Sequence, residues 1–246
     1  METFEKNQAK EQTSSGWRRG AAQAMPIVMG YIPVGFAYGV LSQKAGISAL
    51  NAALMPALFY AGAGQFIAVS MIQTQAPPLS IVLTTLIVNL RHLMMASALA
   101  PYLRNWRKWE LAAFGFEMTD ESFAVHSTNF PSGVPPKIEV FATNLTAHSS
   151  WILGSWLGVM AGGLISDVKP YGLDYALTAL FIALVVLQVS NWIHLFVAFL
   201  TGFVSVALML AGMERWYLIL SAGIGATAGA ICEQWTKTRS SSSSSA

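Results

Sequence analysis

Long apolar runs divided by short polar breaks make up most of this chain. They extend from about Gly20 to Ser42, Ile47 to Ile72, Leu79 to Pro101, Leu111 to Ala124 and Ile138 to Gly163. A longer run from Tyr175 to Leu210 is interrupted near Asn191, and a final short run spans Trp216 to Ile231. Several of these reach the roughly 20 residues that cross a bilayer as a helix. The runs are continuous rather than alternating, the pattern of spanning helices and not of barrel strands. The pattern predicts an all-α, polytopic membrane helical bundle of seven or eight segments.

Breakers and polar residues inside these runs modify that picture. The first segment holds Pro26 and Pro33 with Gly30, Gly35 and Gly39. Each proline removes a helical hydrogen bond, so this segment is expected to be kinked or broken. In the second segment Pro56 precedes Tyr60-Ala-Gly62-Ala-Gly64-Gln65, where the glycines fit either close packing of a neighbouring helix or an unwound turn and Gln65 needs a partner in hydrocarbon. The third segment carries Asn89, Arg91 and His92 close to mid-bilayer depth. Asn89 and His92, three apart, share a helix face, and Arg91 points elsewhere.

The fourth segment places Glu117, Asp120 and Glu121 at spacings that would put three carboxyls on one stripe of a continuous helix. Each charge at bilayer centre costs at least ~2.5–3.5 kcal/mol. With Arg91 as the compensating cation, two carboxylates remain uncompensated. Burial and like charge both favour the protonated form, so at least one acid is expected to be neutral or to meet a cationic substrate group. A structural Arg–carboxylate clamp explains Arg91 and one acid only. The lone His148 of the fifth segment is read as a hydrogen-bonded packing residue.

Composition supports the membrane class. Of 246 residues, 54% are hydrophobic and 11% charged, against roughly 25% charged in soluble domains. The net charge of +2 gives no reason to expect nucleic acid. The single cysteine, Cys232, excludes an internal disulfide and any multi-cysteine metal site, and it reads as a packing residue in a small-residue helix. Residues 1–19 read as a polar leader lacking the apolar stretch of a cleaved signal. Residues 20–233 read as the transmembrane domain, and 234–246 as a Ser-rich disordered tail.

The turn Arg104-Asn-Trp-Arg107-Lys108-Trp109 is basic and aromatic, as at a headgroup layer. With every segment crossing and the N-terminus inside, that turn would lie outside. If it lies inside, one of the first three segments does not fully cross, the first being the suspect. A duplication is hinted at by Tyr31-Ile-Pro-Val-Gly-Phe36 and Trp151-Ile-Leu-Gly-Ser-Trp156.

No His-Glu-x-x-His pair, Gly-x-Ser-x-Gly elbow or Gly-x-x-x-x-Gly-Lys-[Ser/Thr] loop occurs. Enzymatic chemistry and ATP hydrolysis are therefore not expected, nor is a cofactor or bound metal. An energised process would have to draw on an ion or substrate gradient.

Four motifs carry a family resemblance: Gly30-Tyr31-Ile-Pro33-Val-Gly35-Phe-Ala-Tyr-Gly39, Phe59-Tyr60-Ala-Gly62-Ala-Gly64-Gln65-Phe66, Val88-Asn89-Leu-Arg91-His92 and Phe116-Glu117-Met-Thr119-Asp120-Glu121-Ser-Phe-Ala124. Together they resemble the AzlC/YgaZ family, the large subunits of bacterial branched-chain amino acid exporters. The resemblance implies an inner-membrane permease exporting valine, leucine and isoleucine, often methionine. It also implies a small AzlD/YgaH-type membrane partner and drive by the proton-motive force. The substrate-binding candidates are then Tyr31, Pro33, Gly35, Tyr60, Gly62, Gln65, Asn89, Arg91, His92 and Thr119. The proton-coupling candidates are Glu117, Asp120 and Glu121. A zwitterion needs a cationic or helix-N-terminal group, an acid and an apolar pocket. Arg91 or the first segment is a candidate for its carboxylate and Asp120 or Glu121 for its ammonium, with Tyr31, Tyr60 and Phe66 as apolar walls. An uncoupled channel and a non-transporting scaffold are the alternatives.

Overall fold

Two of the apolar segments are each divided into two helices by a short non-helical link. The computed structural model describes residues 2–165, 167–189, 191–213 and 220–232. Among these residues the protein is all-α: α1 (Glu2–Lys44), α2 (Ala49–Leu58), α3 (Gly62–Gln73), α4 (Pro78–Leu99), α5 (Lys108–Phe116), α6 (Asp120–Asn129), α7 (Lys137–Gly162), α8 (Ala176–Gln188) and α9 (Trp192–Leu210). A further helix, α10, covers Leu220–Cys232. The second segment becomes α2 and α3, and the fourth becomes α5 and α6. Among the described residues three helices, Ser15–Lys44, Pro78–Leu103 and Trp192–Leu210, are long and apolar enough to cross a membrane.

The centre of residues 1–180 is the α1–α7 pair. Glycines let the two backbones approach closely. A Cβ at Gly39 would run into the Ser155 carbonyl, and one at Gly158 into the Phe36 carbonyl. Contacts advance in the same direction along both helices, from Gly20 against Ala142, through Ile32 against Gly154, to Gln43 against Gly162. The two helices are therefore parallel, in a register offset of about 120 residues.

Pro26 and Pro33 do not break α1, contrary to expectation; the helix runs unbroken from Glu2 to Lys44. Both prolines sit on an exposed face, whereas Gly20, Ala24, Tyr31, Gly35 and Gly39 are buried. The close packing against α7 on that opposite face holds the helix through the missing hydrogen bonds.

The link Phe59–Ala61 is extended, with φ −134° at Phe59 and −146° at Ala61. From it α3 turns back to the end of the pair where α2 began. Near that end the Tyr38 hydroxyl faces the Ala52 carbonyl at 3.4 Å, and the Tyr38 and Phe66 rings lie 5.9 Å apart. Helix α4 then runs the length of the bundle, since Leu99 and Leu103 pack with Phe130 and Val140 at the opposite end.

The α5–α6 hairpin mirrors the first from that opposite end. Glu110, in the first turn of α5, pairs with Lys137 at the start of α7, and Glu117 at the end of α5 reaches His148 deep in α7. Helix α6 returns, with His126 on Asn144 at 2.7 Å and Asn129 on Gln23 at 3.5 Å. Near the mouth of this hairpin Glu139 binds Arg19 and Gln23 at 3.0 and 2.9 Å. Two hairpins thus enter the α1–α7 pair from opposite ends and meet tip to tip.

The chain divides into a second compact unit from residue 181. Within it the Asn191 side chain caps α9 by accepting from the His194 N–H at 2.9 Å, so the expected turn there is present. Helices α9 and α10 pack antiparallel: a Cβ at Gly225 would run into Thr201, and Gly229 faces Val197. The expected break at Glu214-Arg215, the start of the last segment and the Ser-rich tail lie outside the described residues.

Candidate functional site

Where the hairpin tips meet, polar side chains from α1, α3, α4, α6, α7 and both links form one layer across the bundle. Its depth follows from helix geometry: His148 lies about 16 Å from the start of α7 at 1.5 Å per residue. Asn89 to His92 fall near the middle of the 22-residue α4.

The α5–α6 link ends at Thr119, which caps α6. Thr119 Oγ1 accepts from the Ser122 N–H at 3.3 Å, and Ser122 Oγ accepts from the Thr119 N–H at 2.8 Å. This reciprocal cap stops α5 and starts α6, with Asp120 and Glu121 in the favourable first turn. The single stripe of three carboxyls does not form, because Glu117 and the other two lie on different helices. Each acid has its own partner. Arg91 Nη2 on α4 lies 3.1 Å from Asp120 Oδ2. The Tyr31 hydroxyl on α1 lies 2.5 Å from Glu121 Oε2 and 2.9 Å from Thr119 Oγ1. His148 Nδ1 lies 3.0 and 3.1 Å from the two Glu117 carboxyl oxygens.

The α2–α3 tip contributes aromatic and amide groups. The Tyr60 ring stacks on His148, with centroids 4.0 Å apart and planes 16° apart, and meets Tyr31 edge-on at 6.2 Å. The Trp151 indole N–H donates to Gln65 Oε1 at 2.8 Å, which gives Gln65 its partner. Gly62 is the first residue of α3, and a Cβ there would stand 3.1 Å from the Trp151 ring. Asn89 rests on Gly64, where a Cβ would stand 2.8 Å from its amide nitrogen. His92 is partly buried and feels the charges of Arg91 and Asp120. Phe66 packs on Tyr38 and Trp151, at 5.9 and 6.4 Å between ring centroids.

The layer therefore brings together Tyr31, Tyr60, Gly62, Gln65, Asn89, Arg91, His92, Glu117, Thr119, Asp120 and Glu121. It leaves out Pro33, which is exposed on α1, and Gly35, which is pressed on the α7 backbone with a Cβ position 3.0 Å from the Trp151 carbonyl. It adds His148 and Trp151. From sequence His148 reads as packing because a lone intramembrane histidine usually is; its partner, Glu117, comes from another hairpin. Four buried polar atoms of the layer make no hydrogen bond among the described residues: Tyr60 Oη, Gln65 Nε2, Asn89 Oδ1 and Arg91 Nε.

A layer of paired charges and unfilled donors, where interrupted helices meet midway along an apolar bundle, defines an α-helical membrane protein with a polar centre. The chain belongs to the AzlC family. Residues 26–165, more than half of its length, match the family described as AzlC protein. It is similar to the branched-chain amino acid transport protein AzlC of Bacillus subtilis, 30% identical over 180 residues that cover 73% of this chain and 70% of that protein. The inner membrane protein YgaZ of Escherichia coli is 28% identical over 176 residues, covering 69% and 72%. An uncharacterised membrane protein of Helicobacter pylori is 33% identical over 201 residues, covering 78% and 85%. No solved structure matches.

Proposed function

We propose that this chain is the transport subunit of a branched-chain amino acid exporter, moving valine, leucine, isoleucine and methionine out through the bacterial inner membrane. The observation that carries the reading is the central layer itself. It holds unsatisfied donors (Gln65 Nε2, Arg91 Nε) for a carboxylate, the Glu121 carboxyl for an ammonium group, and the Tyr31, Tyr60 and Trp151 rings for an apolar side chain. The α3 N-terminus, which has no side-chain cap, adds a positive dipole end at the same depth. The name of the Bacillus subtilis relative supports the substrate class.

The hairpins support one orientation. Arg18, Arg19, Arg104, Arg107, Lys108 and Lys137 gather at the end where α1 enters and the α5–α6 hairpin opens, and Lys44 and Lys169 lie at the other. The basic end is cytoplasmic by the positive-inside rule. The N-terminus and the Arg104–Lys108 turn then share one face, because α2–α3 returns to its own end without crossing. The first segment, the earlier suspect, runs full length.

Transport by alternating access would expose the layer to each face in turn, with one of Glu117, Asp120 and Glu121 carrying a proton. The outer face of α4, where Leu83, Leu86, Leu90 and Leu93 are exposed, is available to lipid or to a small AzlD/YgaH-like partner. The test is leucine, isoleucine and valine accumulation in exporter-deficient cells fed dipeptides, with this chain expressed with and without such a partner. Lowered internal levels, restored by collapsing the proton gradient, support the reading. Unchanged levels with both proteins in the membrane refute the substrate class, and uncoupled efflux favours a channel.

A further inference from the structure

The ring of His148 touches the tips of both hairpins at once. Its Nδ1 faces the Glu117 carboxyl at the end of α5, its Nε2 faces the Pro56 carbonyl in α2 at 2.9 Å, and its face stacks on Tyr60 in the α2–α3 link. Both polar contacts are buried.

The chemistry of the partners fixes the protons. A backbone carbonyl only accepts, so the bond to Pro56 requires a hydrogen on Nε2. The contact at Nδ1 then joins a ring nitrogen to a carboxyl group, and it is a hydrogen bond only if one more proton lies between them. That proton sits on Nδ1, giving imidazolium and carboxylate, or on Glu117, giving neutral imidazole and carboxylic acid. In both cases the pair is neutral overall and holds one proton beyond the Nε2 hydrogen. Without it, the Nδ1 lone pair would face a carboxylate at 3.0 Å, leaving a bare negative charge buried midway along the bundle.

We propose that His148 and Glu117 together hold the exchangeable proton of the transport cycle, and that this proton closes a clasp joining the two hairpin tips. The proposal rests on the reading of the chain as a secondary transporter. On release the proton passes to water at one face, leaving neutral imidazole with its hydrogen on Nε2 and an anionic Glu117. The α5 tip then separates from His148, and a proton regained from the other face closes the clasp again. The other ionisable groups around it do not duplicate this role. Tyr60 stacks on the ring, Tyr31 is bound to Glu121 beyond it, and Asp120 faces Arg91, whose charge is permanent.

The chain contains four histidines, so nitrogen NMR of histidine-labelled protein in lipid nanodiscs resolves the question, with His148→Gln assigning the signal. Between pH 5 and 10 the His148 Nδ1 signal should move from hydrogen-bonded to free and unprotonated, with Nε2 protonated throughout. In Glu117→Gln, whose amide can donate to Nδ1, His148 should stay neutral with its hydrogen on Nε2 over the whole range. The same variant in vesicles should lose proton-driven leucine movement at least tenfold. An invariant wild-type signal, or an unprotonated Nε2 in the closed form, overturns the proposal and leaves the pair as a structural clip. The NMR experiment needs no substrate, so a failure of the branched-chain reading is seen separately, as a normal titration without leucine movement. Poor folding of the Glu117 variant would leave the wild-type titration to decide.

Discussion

Arg91 Nη2 stands 3.1 Å from Asp120 Oδ2, joining the middle of α4 to the first turn of α6. The aspartate thereby has both a cation and a helix N-terminus beside it, and the arginine is held in the polar layer. Removing one partner strands the other in an apolar bundle. Arg91→Ala is expected to cost about 3 kcal/mol, the lower end for a broken buried pair, since the arginine side chain keeps 24% of its exposure. Adding Asp120→Asn should recover part of that loss. Thermal unfolding of the purified single and double variants checks both.

Tyr31→Phe removes one hydroxyl that Glu121 and Thr119 share. The expected outcome is about 2 kcal/mol of lost stability, as for a hydrogen bond to a charged group, and a fall in leucine export of at least tenfold. Export at the wild-type rate by a well-folded Tyr31→Phe protein would remove Tyr31 from the substrate site.

The α1–α7 pair predicts a contrast between two glycines. Gly158→Ala drives a methyl into the Phe36 carbonyl and should destabilise the protein by about 3 kcal/mol. Gly30→Ala meets nothing within 4 Å on the exposed face of the same pair, and should be neutral or stabilise by about 0.5 kcal/mol. Monodispersity and melting temperature in detergent distinguish them.

At the basic end, hydrogen bonds from the Lys137 ammonium and the Arg107 N–H hold the Glu110 carboxyl below its ordinary range. A depressed folded-state value makes its contribution complete above the unfolded carboxyl range and lost as pH falls through the folded value. Melting temperature should therefore drop on acidification below about pH 4.5, and the drop should be smaller in Glu110→Gln.

The two hairpins predict which turns share a face. In a Cys232→Ser background, Asn105→Cys and Ser132→Cys should react with an impermeant thiol reagent from the cytoplasmic side, and Lys44→Cys and Gln75→Cys from the outside. Labelling of positions 44 and 75 from opposite sides would mean that α2–α3 crosses.

The sequence by itself determined the class of this protein, for a simple energetic reason. Apolar runs near 20 residues have one stable environment, and their continuity makes them helical. The pairing of Arg91 with an acid was also legible, because a lone cation at that depth must be paired. The cap at Thr119 was not read: periodicity across it suggested one helix with three acids on a stripe, and the local cap overrode the apolar pattern. Other features were decided by packing between segments far apart in the chain. Pro26 and Pro33 each remove a hydrogen bond from α1, and its contact with α7 keeps it continuous. Whether a broken segment crosses or turns back depends on what its tip meets. Here the tips meet each other, through Glu117, His148, Pro56 and Tyr60, groups supplied by three separate stretches of chain. A partner that lies 31 residues away from His148 leaves no helical spacing to read.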